Sequence, residues 1–226
     1  MLIERGSIVR YISNLKTLQN LRVQAVDSLT FLTIMIFHFN ELPNIKSLEC
    51  TSPGHRTDVI FPSPQRTNIE SLTVECITPS LNSILLQTPK LQYLNVKVTN
   101  NKPEWSVSFL DPLPVMKNLT HLKMKIFSLS YDDLLKIMKS MPYLKDLELS
   151  GSSLGPNLDN GHQLKILFGH IKEVHLDDLE CFTSVTSIEP ILATFQNDID
   201  GFWFDVTCSM KHDKVYLSAF GHADSA

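Results

Sequence analysis

Few residue groups in this chain could do chemistry, and their spacing argues against each chemistry in turn. His175 stands beside Asp177 and Asp178, a trio that could hold a metal or relay a proton. In an extended segment successive side chains alternate, so Asp178 falls on the face opposite His175 and Asp177, and no second histidine lies at ligand spacing. Cys50, Cys76, Cys181 and Cys208 show neither CxxC pairing nor regular spacing, so neither a zinc site nor a disulfide framework is suggested. No serine sits in a nucleophile elbow, and no glycine-rich segment has the form of a phosphate loop. Asn118-Leu119-Thr120 matches a glycosylation sequon, but Leu119 is also a core anchor of the pattern described below. These readings predict a protein that is not an enzyme and uses neither cofactor nor metal.

What remains is a set of polar side chains whose chemistry is recognition. Lys97, Lys123 and Lys125 make a basic group, and Asp146, Glu148, Glu173, Asp177 and Asp205 follow it as an acidic one. Adjacent patches of opposite sign suit a protein ligand with the reverse arrangement. Tyr93 and Trp203 are the aromatic candidates, since such side chains often dominate binding energy once desolvated. His121 and His175 lie among them.

The elements that must position these residues follow from a repeat. A short pattern, L-x-x-L-x-V with other apolar residues standing in, begins at Leu18-Leu21-Val23 and returns at Ile45-Leu48-Cys50, Ile69-Leu72-Val74 and Leu91-Leu94-Val96. It continues at Leu119-Leu122-Met124, Leu144-Leu147-Leu149 and Ile171-Val174-Leu176, with a weaker match at Ile199-Phe202-Phe204. The first anchors are 27, 24, 22, 28, 25, 27 and 28 positions apart, the range of leucine-rich repeats. The last two apolar residues of each match alternate with polar ones, so each unit contributes one strand with one buried face. Residues two, four and six places after each first anchor then point away from the core. Those positions carry Tyr93, Lys97, His121, Lys123, Lys125, Asp146, Glu148, Glu173, His175, Asp177 and Trp203, the partner-binding residues this register predicts.

The spacers complete the expected architecture. Helices are predicted over Ser28–Glu41, Ser80–Thr88 and Ser130–Ser140, each stopping ahead of a proline at Pro43, Pro89 or Pro142. Fainter helical signals lie at Gly161–Phe168 and Ser184–Phe195. Thr51–Arg66 and Thr99–Met116 each carry three prolines and read as irregular loops. The fold class is therefore α/β, a leucine-rich-repeat solenoid with a parallel sheet on its concave side and helices and loops on its convex side. It occupies residues 1–206 as one domain of seven to eight repeats. Strands around Phe202–Val206 and Lys214–Leu217 suggest a capping hairpin over 202–220, and residues 221–226 read as a disordered tail.

Composition bounds the partner. A hydrophobic content of 43% over 226 residues supplies a continuous core. A net charge of -4 gives no basic excess for displacing counterions from nucleic acid, and the apolar run Leu29–Phe39 is too short to span a bilayer. The charged N-terminus does not read as a signal peptide. A protein partner is expected, with no nucleic acid and no membrane, for a protein that is intracellular, cytoplasmic or nuclear.

The phrases TPKLQYLNV (Thr88–Val96), MKNLTHLKM (Met116–Met124) and MPYLKDLEL (Met141–Leu149) resemble the helix-end, proline, strand units of the F-box/leucine-rich-repeat family. The resemblance spans roughly residues 12–206. It implies the substrate-selecting repeats of a ubiquitin-ligase adaptor, in which a separate F-box docks a cullin-type ligase. The first repeat begins at about Leu18, with too little chain before it for an F-box, so a cullin-type ligase is expected as a partner only if an upstream F-box exists. The alternative expectation is a stand-alone structural or inhibitory repeat protein that binds one stable partner.

Overall fold

Each repeat anchor folds as expected into a strand, and the strands assemble in chain order. The computed structural model describes residues 17–24, 44–51, 67–99, 113–153, 158–182, 187–197, 201–211 and 214–223. Among them, β1 (Asn20–Gln24), β2 (Ser47–Thr51), β3 (Ser71–Ile77), β4 (Tyr93–Thr99), β5 (His121–Leu129), β6 (Asp146–Ser153) and β7 (Glu173–Phe182) pair successively and in parallel. The second anchor of each repeat aligns with the next, running Leu21, Leu48, Leu72, Leu94, Leu122, Leu147 and Val174 across the sheet. From Leu48 onward every member of that row is buried. The row is a continuous core layer, because a one-residue slip in any strand would turn its leucine to solvent.

Among the described residues, four helices cover the core face. α1 (Thr78–Gln87), α2 (Tyr131–Lys139), α3 (Gly161–Phe168) and α4 (Glu189–Gln196) follow β3, β5, β6 and β7. They bury Leu81, Ile84 and Leu85, then Leu134, Ile137 and Met138, then Leu164, Leu167 and Phe168, and finally Ile191 and Phe195. Ser130 starts α2 by accepting a hydrogen bond from the Asp133 amide at 3.2 Å, which satisfies a donor that has no partner inside the helix. At the other ends, Thr88 donates to the Ile84 carbonyl at 2.9 Å and Ser140 to the Ile137 carbonyl at 2.7 Å. These hydroxyls occupy the last carbonyls just where Pro89 and Pro142 prevent another turn. The helix expected over Ser28–Glu41 and most of the two proline-rich loops lie outside the described residues.

The C-terminal end departs from expectation. The eighth match does not add a parallel strand: β8 (Trp203–Lys211) lies at the sheet edge, and β9 (Lys214–His222) inserts between it and β7, antiparallel to both. Gly221 and His222, expected in a disordered tail, are paired in β9 opposite Val174 and Glu173. The phase of β8 is also reversed. Trp203 is buried at 7% exposure while Phe204 is 47% exposed, so Trp203 belongs to the core rather than to the binding face. Its indole N–H donates to the Gly161 carbonyl at 2.9 Å, and its ring meets Phe195 and Phe202 edge-on. Phe202 is buried as well, at 4% exposure, and the polar partner accounts for Trp203 facing inward while Phe204 stays exposed.

A line of backbone irregularities crosses the later strands. Ser128, Gly151, Asp178 and Asp205 have φ of 62°, 101°, 49° and 51°, and the pairing register of β5 to β9 shifts at those places. Ser128, Asp178 and Asp205 are bulges that reset the in-out alternation of their strands, while Gly151 stays paired with Ile126 on one side and Leu179 on the other. Asp178 is consequently exposed instead of facing the core, and Leu179 takes the buried place.

Candidate functional site

The sheet face away from the helices is built in rows, because parallel strands in register put equal repeat positions side by side. One row runs Tyr93, His121, Asp146, Glu173 and His222. The next runs Asn95, Lys123, Glu148, His175, Phe220 and Phe204, and a third carries Lys97, Lys125, Ser150 and Asp177. Ten of the eleven binding residues expected from the sequence therefore share this face, and Trp203 is the exception.

The charges pair between neighbouring strands rather than separating into two opposed patches. Arg22 meets Glu49 at 3.2 Å, Lys97 meets Glu75 at 2.7 Å, His121 meets Asp146 at 2.8 Å, and Lys123 bonds to Glu148. Parallel strands about 4.8 Å apart bring same-row side chains within reach of one another. The bond to Glu148 holds the Lys123 ammonium above its ordinary pKa, with partial desolvation opposing it. Lys97 and Lys125 also stand over the Phe127 ring at 5.4 and 5.7 Å, two cation–π contacts that gather positive charge beside that ring.

Toward β7 and β9 the face becomes aromatic. His175 stacks on Phe220 with centroids 4.3 Å apart and planes 10° apart, and Phe204 stacks on the other side of Phe220 at 5.7 Å and 20°. This wall borders an open depression of about 490 Å³, whose opposite rim includes Tyr93 and His121 and whose lining includes Lys123, Asp146, Glu148, Glu173 and His222. Seven of the expected residues line it: Tyr93, His121, Lys123, Asp146, Glu148, Glu173 and His175. Lys97, Lys125 and Asp177 lie on the same face outside it.

Sequence reasoning missed Phe204, Phe220, His222 and Phe127. A signal for Phe220 was present, since Lys214 to Phe220 alternates strictly and Val215, Leu217 and Ala219 are the buried set. Phe204 was assigned to the core by the phase later reversed at Trp203. Among the described residues, no group of three His, Cys, Asp or Glu side chains could hold a metal ion, and no helix is long and apolar enough to cross a membrane. No protein-family model matches the chain, and no curated protein matches it.

Proposed function

We propose that this chain is a protein-binding leucine-rich-repeat module, a solenoid that holds its partner on the outer face of the sheet and performs no catalysis. The observation that carries the reading is the cluster of large aromatics around one depression. Tyr93, Phe204 and Phe220 are 38%, 47% and 38% exposed on a face whose other positions are mostly polar. Exposed aromatics grouped over a concavity and rimmed by polar residues are the composition of an interface. The titratable groups support recognition over catalysis, since His121 is bound to Asp146, Lys123 to Glu148, and His175 is packed on Phe220. The unpaired thiols of Cys50, Cys181 and Cys208 agree with a reducing compartment and an intracellular protein.

The finer form of the proposal is substrate recognition for a ubiquitin-ligase adaptor of the F-box/leucine-rich-repeat kind. It is supported by the three family-like phrases, which run from Thr88 into β4, from Met116 into β5 and from Met141 into β6. Affinity capture from cell extract with immobilised 226-residue chain, read by mass spectrometry, tests both levels. A partner lost on Tyr93→Ala or Lys123→Glu but kept on Lys139→Glu, a change on the exposed side of α2, is the expected result. Capture indifferent to Tyr93 and Lys123 would move the site off this face. A captured partner that becomes ubiquitinated when the chain is fused to an F-box, and not when Tyr93 is changed, would support the adaptor reading.

A further inference from the structure

Resting on the outer-face reading, we infer that the depression selects its protein partner through an arginine side chain, received between the Glu173 carboxylate and the ring wall of His175, Phe220 and Phe204. The lining carries three carboxylates, Asp146, Glu148 and Glu173, against one lysine. The donors in the lining that face these carboxylates are already engaged, Lys123 by Glu148 and His121 by Asp146, so an incoming anion would meet donors that have partners. Glu173 is the available acceptor. Its ion pair with the neighbouring Lys172 spans 3.2 Å between side chains 58% and 61% exposed, an arrangement that water and a ligand readily exchange.

An apolar ligand would fit the rings but would desolvate the bordering carboxylates without replacing their hydrogen bonds. A guanidinium meets both demands. Its plane stacks on aromatic faces, and its fork of donors matches a carboxylate with two bonds. Glu173 pairs with His222, and His175 pairs with Phe220 two residues further along the same two strands, so the acceptor and the ring wall lie side by side. Lys97 and Lys125 stand over Phe127 outside the depression, which leaves Lys123 as the lysine of its lining. An ammonium would gain the charge but not the bidentate fit, so lysine should rank below arginine.

The test is selection of random short phage-displayed peptides on the full 226-residue chain, followed by anisotropy titration of the best peptide at two ionic strengths. Selected sequences should be enriched in arginine, and replacing that arginine by glutamine should weaken binding about ten-fold or more, with lysine intermediate. Glu173→Gln should also weaken it about ten-fold without moving the melting temperature, and added salt should weaken the wild-type complex more than the Glu173→Gln complex. Peptides without arginine enrichment that still lose binding on Phe220→Ala would overturn the arginine inference and leave the outer-face reading standing. Peptides indifferent to both Glu173→Gln and Phe220→Ala would overturn both. A library that yields no binder would overturn the inference as well.

Discussion

Gly151 offers the sharpest check on the backbone geometry of the later strands, because its replacement fails for a reason independent of side-chain packing. Its φ of 101° lies beyond the small left-handed well open to L-residues, and a Cβ there would run into the Ile126 carbonyl oxygen and lie 3.0 Å from the Ile126 carbonyl carbon and amide nitrogen. The obstacle is backbone, so no rotamer change relieves it. Alanine must pay about 1–3 kcal/mol of conformational strain. Moving β5 from β6 to make room leaves at least one buried ladder pair unsatisfied, about 1–3 kcal/mol more. The expected loss for Gly151→Ala is therefore about 2–6 kcal/mol. Gly201 is the control: its φ is 63°, and nothing lies within 4 Å of a Cβ built there. Alanine at Gly201 meets a left-handed cost of about 1–2 kcal/mol, offset by about 0.4–1 kcal/mol from the less flexible unfolded chain, a net loss of about 1 kcal/mol. Urea denaturation should show the larger midpoint shift for Gly151→Ala with an unchanged slope. Equal shifts for the two variants would refute the argument, since conformation alone would then account for both.

Three further predictions follow from buried contacts. Leu122→Ala and Leu147→Ala should each cost about 2–5 kcal/mol by leaving a cavity in the core row, measured as a loss in thermal or urea stability; a neutral result for either would contradict the register. Trp203→Phe keeps an aromatic ring but removes the donor to the Gly161 carbonyl and part of the buried ring, so about 1–3 kcal/mol or more should be lost, and full retention of stability would mean that bond is not what fixes the phase of β8. Burial pushes the Cys50 and Cys181 thiols up to about 12, so their thiolate forms are scarce at pH 8, while Cys208 is raised as well but only half-buried. Alkylation of the native protein followed by peptide mapping should modify Cys208 before the other two, and labelling of Cys181 as fast as Cys208 would refute that order.

The parallel array was legible in the sequence because its cause is local and repeated. A leucine three residues after each first anchor specifies both the strand and its phase, and Leu48 through Leu147 occupy the places that pattern demanded. The lateral pairs were implicit in the same register, although charge order alone reads as two adjacent patches. Lys123 and Glu148 hold the same offset in successive repeats, as do His121 and Asp146, so register alone implies their contact. Two things were not readable. Phe202, Trp203 and Phe204 form an apolar run with no alternation, and its phase is settled by the distant Gly161 carbonyl. The aromatic wall arises because β9 inserts beside β7, a pairing between His175 and Phe220 that no repeat spacing encodes.

That insertion has a consequence for biosynthesis. During translation β1 to β7 emerge in the order in which they pair, so each new strand can cover the open edge left by the one before it. The rule fails at β7. β8 is made next, but its final place is one strand away, and the edge of β7 stays uncovered until β9 has followed it out of the ribosome. For that interval the growing chain presents unpaired backbone donors and acceptors beside the apolar Leu176, Leu179 and Cys181, the kind of edge that recruits another chain. Nascent chains stalled between Phe182 and Lys214 should therefore be the ones that aggregate, and those released after His222 should not.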